Sequence, residues 1–334
     1  MPSDEDQLLR WLRRRLRHPL IGDDAAVLPA SGPLAGTVDS QISGVHFVPG
    51  LDPALVAERL LAVNLSDLAA MGALPAHAFL ALTAPPDFDH RRFFRALLAA
   101  CDRHRVRLAG GDLARGACDH TFVATLTLLG RKRRGGRWLR RSGAAPGHRL
   151  WLGGTAGESA AGRLLVAAGA RLAGPRVSLP PGSPAAAGGR ALRAAAQCAV
   201  RRHLLPRPQL ALGQWLGGQP AGAAIDVSDG VARDLHRLCD ASGVGVSVEC
   251  GELPFAAGFA ALAAALSADP LDLALGGGED YVLLFTLPRN IEPPARFACR
   301  AIGTITRGRR RVIAGTVQRP LPRSGWDHFA DRAR

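Results

Sequence analysis

The chain has 334 residues, a formal net charge of +14, 47% hydrophobic residues and only 5% aromatic ones. That length admits two domains burying about three quarters of the unfolded surface, with a core made mainly of Leu, Val and Ala. The charge raises nucleic-acid binding. However, Lys132 is the one lysine and the arginines are spread from Arg10 to Arg334, which looks like codon bias rather than a selected basic surface, so nucleic acid is not the expected partner. No apolar run approaches the ~20 residues of a membrane span; the longest, Phe255 to Ala268, is too short. The six cysteines show no CxxC and no zinc-like pairing with His, and read as small buried hydrophobes in a reducing compartment. A soluble cytoplasmic protein with no membrane contact is expected.

In chain order, Ser3 reads as the cap of an N-terminal helix, not a signal peptide: its acids fall in the first turn, its arginines later, and Leu8, Leu12 and Leu16 share a face. IGDDAAVL follows as an apolar strand interrupted by two acids, then AGTVDSQISGVHF alternates apolar and polar positions up to His46, which reads first as structural. From Asp52-Pro53 to Gly72 a helix carries NLSDLAAMG, with Asp67 in an apolar run and Asn64 on the same face. Asp is a poor helix-interior residue, so a use for it is expected. HAFLALTAP (77 to 85) reads as a buried strand, Phe93 to His104 as a helix and VRLAGGD as a strand. HTFVATLTLLGR (120 to 131) reads as another strand, followed by a basic hairpin, KRRGGRWLRRSG (132 to 143). A Pro-Gly turn at 144 to 147 sets the boundary between domains 1–145 and 146–334.

In the second domain RLWLGG is a strand and GTAGESAAGRLLVAAG a glycine turn into a small-residue helix. The stretch 171–189, rich in Pro, Gly and Ala, reads as a mobile loop or insertion. A helix near Arg190 to His203 leads to AIDVSDGVARDL, a strand from Ala223 to Val227 with Ser228 capping a helix that starts at Gly230 or Val231. GVGVSVEC, an Ala-rich helix, GGGEDYVLLFTLP, FACRAIGTITR and RVIAGTV complete the elements before the tail GWDHFADRAR.

One pattern recurs: an Asp beside Gly or Ser with apolar flanks, in GDDAAV, VDSQISGVHF, LSDLAAMG, AGGDLARG, AIDVSDGV and GGGEDYVL. Such motifs sit where strands end or helices begin and let a ligand approach the backbone. Carboxylates gathered this way repel one another unless cations lie between them, and a set of hard oxygen ligands suits Mg²⁺ shared with a phosphate-rich substrate. Gly110 and Gly111 before Asp112 offer backbone N–H groups beside an acid, as a phosphate cradle does. Arg140 and Arg141 read either as phosphate clamps or as solvated loop residues. There is no GxxxxGK[ST], GxSxG or HExxH, and no VAIK-type lysine with a glycine loop.

GDDAAV, VDS…GVHF, NLSDLAAMG, GGD..RG, RSGAAPG, AIDVSDG, GGGEDY and WDHF, in this order, resemble the thiamine-monophosphate kinases. These belong to the ATP-binding superfamily that also holds aminoimidazole ribonucleotide synthetase, selenophosphate synthetase and a hydrogenase-maturation dehydratase. The resemblance runs from about residue 20 to the C-terminus. It implies an α/β (α+β) two-domain fold like that of aminoimidazole ribonucleotide synthetase, an N-terminal sheet domain forming a homodimer, and a C-terminal α/β domain. It also implies ATP and several Mg²⁺ ions as cofactors, and thiamine monophosphate as the phosphate acceptor.

Carried over by position, the resemblance makes Asp24, Thr37, Val38, Asp39, Asp67, Asp112, Asp226 and Asp229 the metal-binding set. Gly111, Asp112, Arg141 and Ser228 match ATP-contacting positions, with Asp112 and Arg141 the catalytic pair; His46, Glu279 and Trp326 match positions that hold thiamine monophosphate. Two departures stand out. VDS replaces the family's TDT, so Val38 offers only its backbone carbonyl, and GGDLARG replaces GGDTTRG, removing two hydroxyls beside Asp112. The alternatives are another ATP-dependent enzyme of the same superfamily or, in a different class, a basic nucleic-acid-binding protein. Within the first, a selenophosphate synthetase would need a reactive Cys near a Gly-rich N-terminus and the hydrogenase-maturation protein a C-terminal Cys, and neither is expected here.

Overall fold

The computed structural model describes residues 11–12, 14–16, 28, 32–118, 121–220 and 222–326. Most of the predicted N-terminal helix, the GDDAAV strand with Asp24, and the chain after Trp326 lie outside the described residues. The fold is mixed α/β and divides into two compact units: residues 1–68 with 73–134, and residues 69–72 with 135–334.

In the first unit, β1 (Leu34–Ile42), α1 (Pro53–Ala70), β2 (Ala73–Ala84), α2 (His90–His104), β3 (Arg107–Arg115) and β4 (Val123–Lys132) follow in sequence. The strands form one sheet in the order β1-β4-β2-β3, antiparallel except where α2 carries the chain from β2 to its parallel neighbour β3. Helix α1 starts where the Asp52 side chain accepts from the Ala54 N–H at 2.9 Å, and ends at Gly72, whose φ of +66° suits glycine. Leu60, Leu61, Leu65 and Leu68 are buried, and so are Arg59, Asn64 and Ser66. A helix covered on nearly all sides must satisfy its polar residues internally. Arg59 Nε accordingly donates to Gln41 Oε1 at 3.0 Å, and Asn64 Nδ2 to the Leu60 carbonyl one turn back at 2.9 Å. Helix α2 is amphipathic, with Phe93, Phe94, Leu97, Leu98 and Cys101 inward, and is capped by Asp89.

The second unit is built on β5 (Arg149–Gly153), which lies between β10 (Leu283–Leu287) and β11 (Cys299–Thr306). Beyond these, β8 (Ala224–Asp226) flanks β10, while β9 (Gly245–Glu249), β12 (Arg310–Ala314) and β13 (Val317–Pro320) extend the β11 side. Alternation along β5 sends Leu150 and Leu152 to a cluster with Ile225, Leu235, Leu238, Val246 and Ile302, and Trp151 to another with Leu139, Leu212, Leu216 and Phe285. Both faces of the sheet are therefore covered, which explains why Leu150-Trp151-Leu152 is an unbroken apolar run. Helices α3 (Glu158–Ala167), α5 (Arg190–Leu204), α6 (Leu210–Leu216), α7 (Val231–Ser242), α8 (Phe259–Ala265) and α9 (Pro270–Gly276) complete the unit. Among the described residues, no single helix is long and apolar enough to cross a membrane.

Two expectations are corrected. The stretch 171–189 is not structureless: β6 (Arg171–Ala173) and β7 (Arg176–Ser178) form a two-stranded ribbon turned at Gly174, and Ser183 caps a short helix, α4 (Pro184–Ala187). The ribbon is too short and too interrupted by Gly and Pro to show a period. After β4, residues 133–143 form no returning strand, so the basic hairpin is absent. Instead the Arg137 N–H donates to the Gly217 carbonyl, Leu139 is buried, and the Arg140 carbonyl accepts from the Ala224 N–H at 2.9 Å.

Helices α3 and α5 approach closely at Gly162, where a Cβ would lie 2.0 Å from the Ala199 carbonyl oxygen and 2.8 Å from His203 Cβ. Gly162→Ala is expected to force the pair apart and destabilise the protein by about 1–3 kcal/mol, the usual range for overpacking. Urea unfolding of the two proteins checks this; equal midpoints would contradict it.

Candidate active site

In the first unit, strand alternation puts Thr37, Asp39 and Gln41 on the face of β1 that looks at α1. Thr37 Oγ1 donates to Asp67 Oδ2, so the polar residue in the apolar helix meets the VDS strand. Val38 points the other way and is 61% exposed, leaving only its backbone for a ligand on the α1 side. His46 closes the turn after β1: its Nδ1 accepts from the Ile42 N–H at 3.1 Å. Gly111 and Asp112 stand apart from this group. Asp39 pairs with Leu126, Leu126 with Leu80 and Leu80 with Gly111, three strand spacings or roughly 14 Å of backbone across the sheet. Asp112, in register with Ala81, is exposed. Gly111 has no room for a side chain, since a Cβ would lie 1.9 Å from the Leu80 carbonyl oxygen.

In the second unit, the end of β8, the start of α7 and residues 278–282 are tied by backbone bonds. Val227 N–H donates to the Val282 carbonyl (2.8 Å), Tyr281 N–H to Val227 (2.9 Å) and Glu279 N–H to Ser228 (2.7 Å). Trp326 joins them through its N–H, which donates to the Asp229 carbonyl at 2.9 Å. Gly325, at φ +147°, makes that approach possible, because a Cβ there would lie 2.8 Å from the same carbonyl oxygen. Asp226, Ser228, Asp229, Glu279 and Trp326 are thus brought together. Asp226 is buried, and Asp229 pairs with Arg237 at 2.6 Å and with Arg233 at 3.8 Å. Arg141 is exposed, its carbonyl accepting from Ser242 Oγ at 2.9 Å.

Three residues of this region escaped the sequence reading. Ser228 does not cap α7; the cap position is Gly230, at φ +120°, and makes no side-chain bond. The capping comes from inside the helix: buried Asp234 Oδ2 accepts from the N–H groups of Ser228 (3.1 Å) and Asp229 (3.0 Å), and Oδ1 takes Arg237 at 2.6 Å. Burial pushes the Asp234 carboxyl up to about 6, against the bond from the Asp229 N–H; the charge of Asp229 adds to the rise and Arg237 opposes it. Asp280 is likewise buried, and accepts from the N–H groups of Gly157 (2.8 Å) and Ser159 (3.1 Å) at the start of α3. Desolvation drives it up to about 7 despite those two bonds. His203 Nδ1 lies 3.4 Å from Glu279 Oε2. Asp234 was visible as an acid in the first turn of a helix; nothing in the sequence marked Asp280 apart from Glu279, or His203 at all.

Among the described residues, no three His, Cys, Asp or Glu side chains gather to hold a metal ion. The donors nevertheless fit a hard cation: all are oxygens, and the buried Asn64 Oδ1, one turn from Asp67, has no hydrogen-bond partner among the described residues. The first unit also holds a cavity of about 800 Å³ lined by Arg15, His77, Asp102, Arg105, Arg107 and Arg131 among others, which none of the predicted site residues lines.

Residues 22–131 match the family model described as AIR synthase related protein, N-terminal domain. Among solved structures, AaThiL complexed with AMPPCP and TMP is similar, with a TM-score of 0.76 at 27% identity over 98% of this chain and 99% of that one. The fold is therefore of the AIR synthase-like class. The thiamine-monophosphate kinase of Salmonella typhimurium LT2 is 40% identical over 273 residues, and that of Escherichia coli K12 38% over 278, each match spanning 80% of this chain and 76% of the relative. The chain belongs to the thiamine-monophosphate kinase family.

Proposed function

We propose that the chain transfers the γ-phosphoryl group of ATP to thiamine monophosphate, giving thiamine diphosphate and ADP by direct in-line displacement. The observation that carries the reading is the grouping of Asp226, Ser228, Asp229, Glu279 and Trp326 at the β8–α7 junction, in a chain of this family. An oxygen of the substrate's own phosphate attacks the γ-phosphorus, its bond to the β-phosphate oxygen breaks, and ADP leaves with the electron pair. The attacking phosphate is already ionised, so no strong general base is needed, and positioning and charge do the catalysis.

Mg²⁺, when bound, offsets the charge of the two polyanions. Its candidate ligands are Asp24, Thr37, the Val38 carbonyl, Asp39, Asp67, Asp112, Asp226 and Asp229. Gly111 leaves its backbone open to a phosphate, Ser228 offers a hydroxyl, and the exposed Arg141 guanidinium can fork onto phosphate oxygens. His46 and Glu279 hold the acceptor, and the Trp326 indole suits the cationic thiazolium. The reading includes a homodimer formed through the first-unit sheets, supported by the exposure of Leu34 and Val38 on the face of β1 turned away from α1. It also includes a cytoplasmic location, in keeping with six cysteines that form no CxxC or zinc-like pattern.

Product analysis tests it. Incubation with ATP, Mg²⁺ and thiamine monophosphate is expected to give thiamine diphosphate and ADP, with neither formed from thiamine or aminoimidazole precursors and both lost on chelation. ADP released with another acceptor, without thiamine diphosphate, would assign the chain a different reaction.

A further inference from the structure

We propose that His203 is a positioning residue that aims the Glu279 carboxylate at the thiamine moiety; the inference rests on the reading of Glu279 as a substrate-holding residue. His203 is 4% exposed on the last turn of α5, with Nδ1 at 3.4 Å from both Glu279 Oε2 and Ser159 Oγ. With its proton on Nδ1, the imidazole can donate either to the Glu279 carboxylate or to Ser159 Oγ. The Glu279 backbone is already fixed. Its φ is +59°, a conformation that costs a non-glycine residue energy, and its N–H is held by the Ser228 carbonyl while the next side chain, Asp280, is anchored to the start of α3.

The backbone does not by itself set the direction of the side chain, and His203 stands against it on the buried side while Glu279 keeps some exposure. A contact of 3.4 Å adds little to stability. It is well suited to holding a direction. The α3–α5 approach at Gly162 is what brings the ring there, since His203 Cβ is itself one of the atoms a larger residue at 162 would meet.

The test is steady-state kinetics of wild type, His203→Ala, His203→Asn, Glu279→Gln and the His203→Ala/Glu279→Gln double variant, varying thiamine monophosphate and ATP separately, with melting temperatures alongside. His203→Ala is expected to raise KM for thiamine monophosphate roughly ten-fold while kcat and KM for ATP stay within about two-fold, the signature of lost ground-state positioning. His203→Asn, whose amide donates from near the Nδ1 position, is expected to recover most of the affinity. The double variant is expected to bind no worse than Glu279→Gln alone. Multiplying effects in the double variant, or equal changes in both KM values, would overturn the role. Should the alanine variant not fold, His203→Gln replaces it: Gln impaired and Asn near wild type supports the role, and equal impairment overturns it. If Glu279→Gln itself leaves KM for thiamine monophosphate unchanged, the assignment of Glu279 fails and the inference with it, an outcome separable from failure of His203 alone.

Discussion

Asp112→Asn is expected to lower kcat by about a hundred- to a thousand-fold, the loss typical of removing one preorganised electrostatic group from a transition state. The same change is expected to move the melting temperature by no more than about 2 °C. The reason for the separation is structural. Asp112 is exposed on an edge strand, beside a glycine that admits no side chain, so among the described residues neutralising it orphans no buried donor and opens no cavity. A single-turnover assay with saturating ATP and thiamine monophosphate, paired with a melt, measures both numbers. Near wild-type turnover would remove Asp112 from the catalytic machinery and with it the metal-cluster account.

Asp280→Ala is expected to do the opposite, acting on stability first. It leaves the N–H groups of Gly157 and Ser159 without their acceptor inside the protein, at about 1–3 kcal/mol each. Against a total stability of roughly 5–15 kcal/mol that is a large fraction. The cost also depends on pH with a definite sign. Burial lifts the Asp280 carboxyl from 3.8 to about 7 in the folded protein. The native state therefore holds a proton that the unfolded chain has released. The stability contributed by the group is full below pH 3.8 and is lost as pH rises through about 7. Denaturant titrations at pH 5 and pH 8 should show a larger gap between wild type and variant at pH 5; a gap that grows toward pH 8 would contradict the burial account.

Much of the fold could be read from the chain because local signals agreed with tertiary demands. Asp52-Pro53 and Gly72 bracket a helix that runs Pro53–Ala70, and the apolar run after His77 is the heart of β2. The polar residues in that helix were rightly suspicious: Asp67 meets Thr37, and Asn64 turns back on its own helix. Signals failed where one residue type serves two ends. Ser228 has the chemistry of a cap, yet Asp234 reaches back from within α7 and does the work, a bond set by the folded turn and not by spacing. Glu279 and Asp280 are chemically near twins in sequence. Only the left-handed backbone at 279 and 281 decides that the first keeps some solvent and the second is sealed against α3.

The order of strands in the second unit carries a further consequence, for synthesis and refolding. Strand β5 is made first, yet its two neighbours, β10 and β11, come at 283–287 and 299–306. At 5–20 residues per second, a ribosome takes roughly seven to thirty seconds to supply them. For that time the apolar Leu-Trp-Leu segment has no sheet to join. Non-local pairing of this kind folds slowly and invites aggregation. Recovery of active protein should therefore improve with slower expression at low temperature, and chains truncated before residue 283 should be insoluble rather than merely inactive.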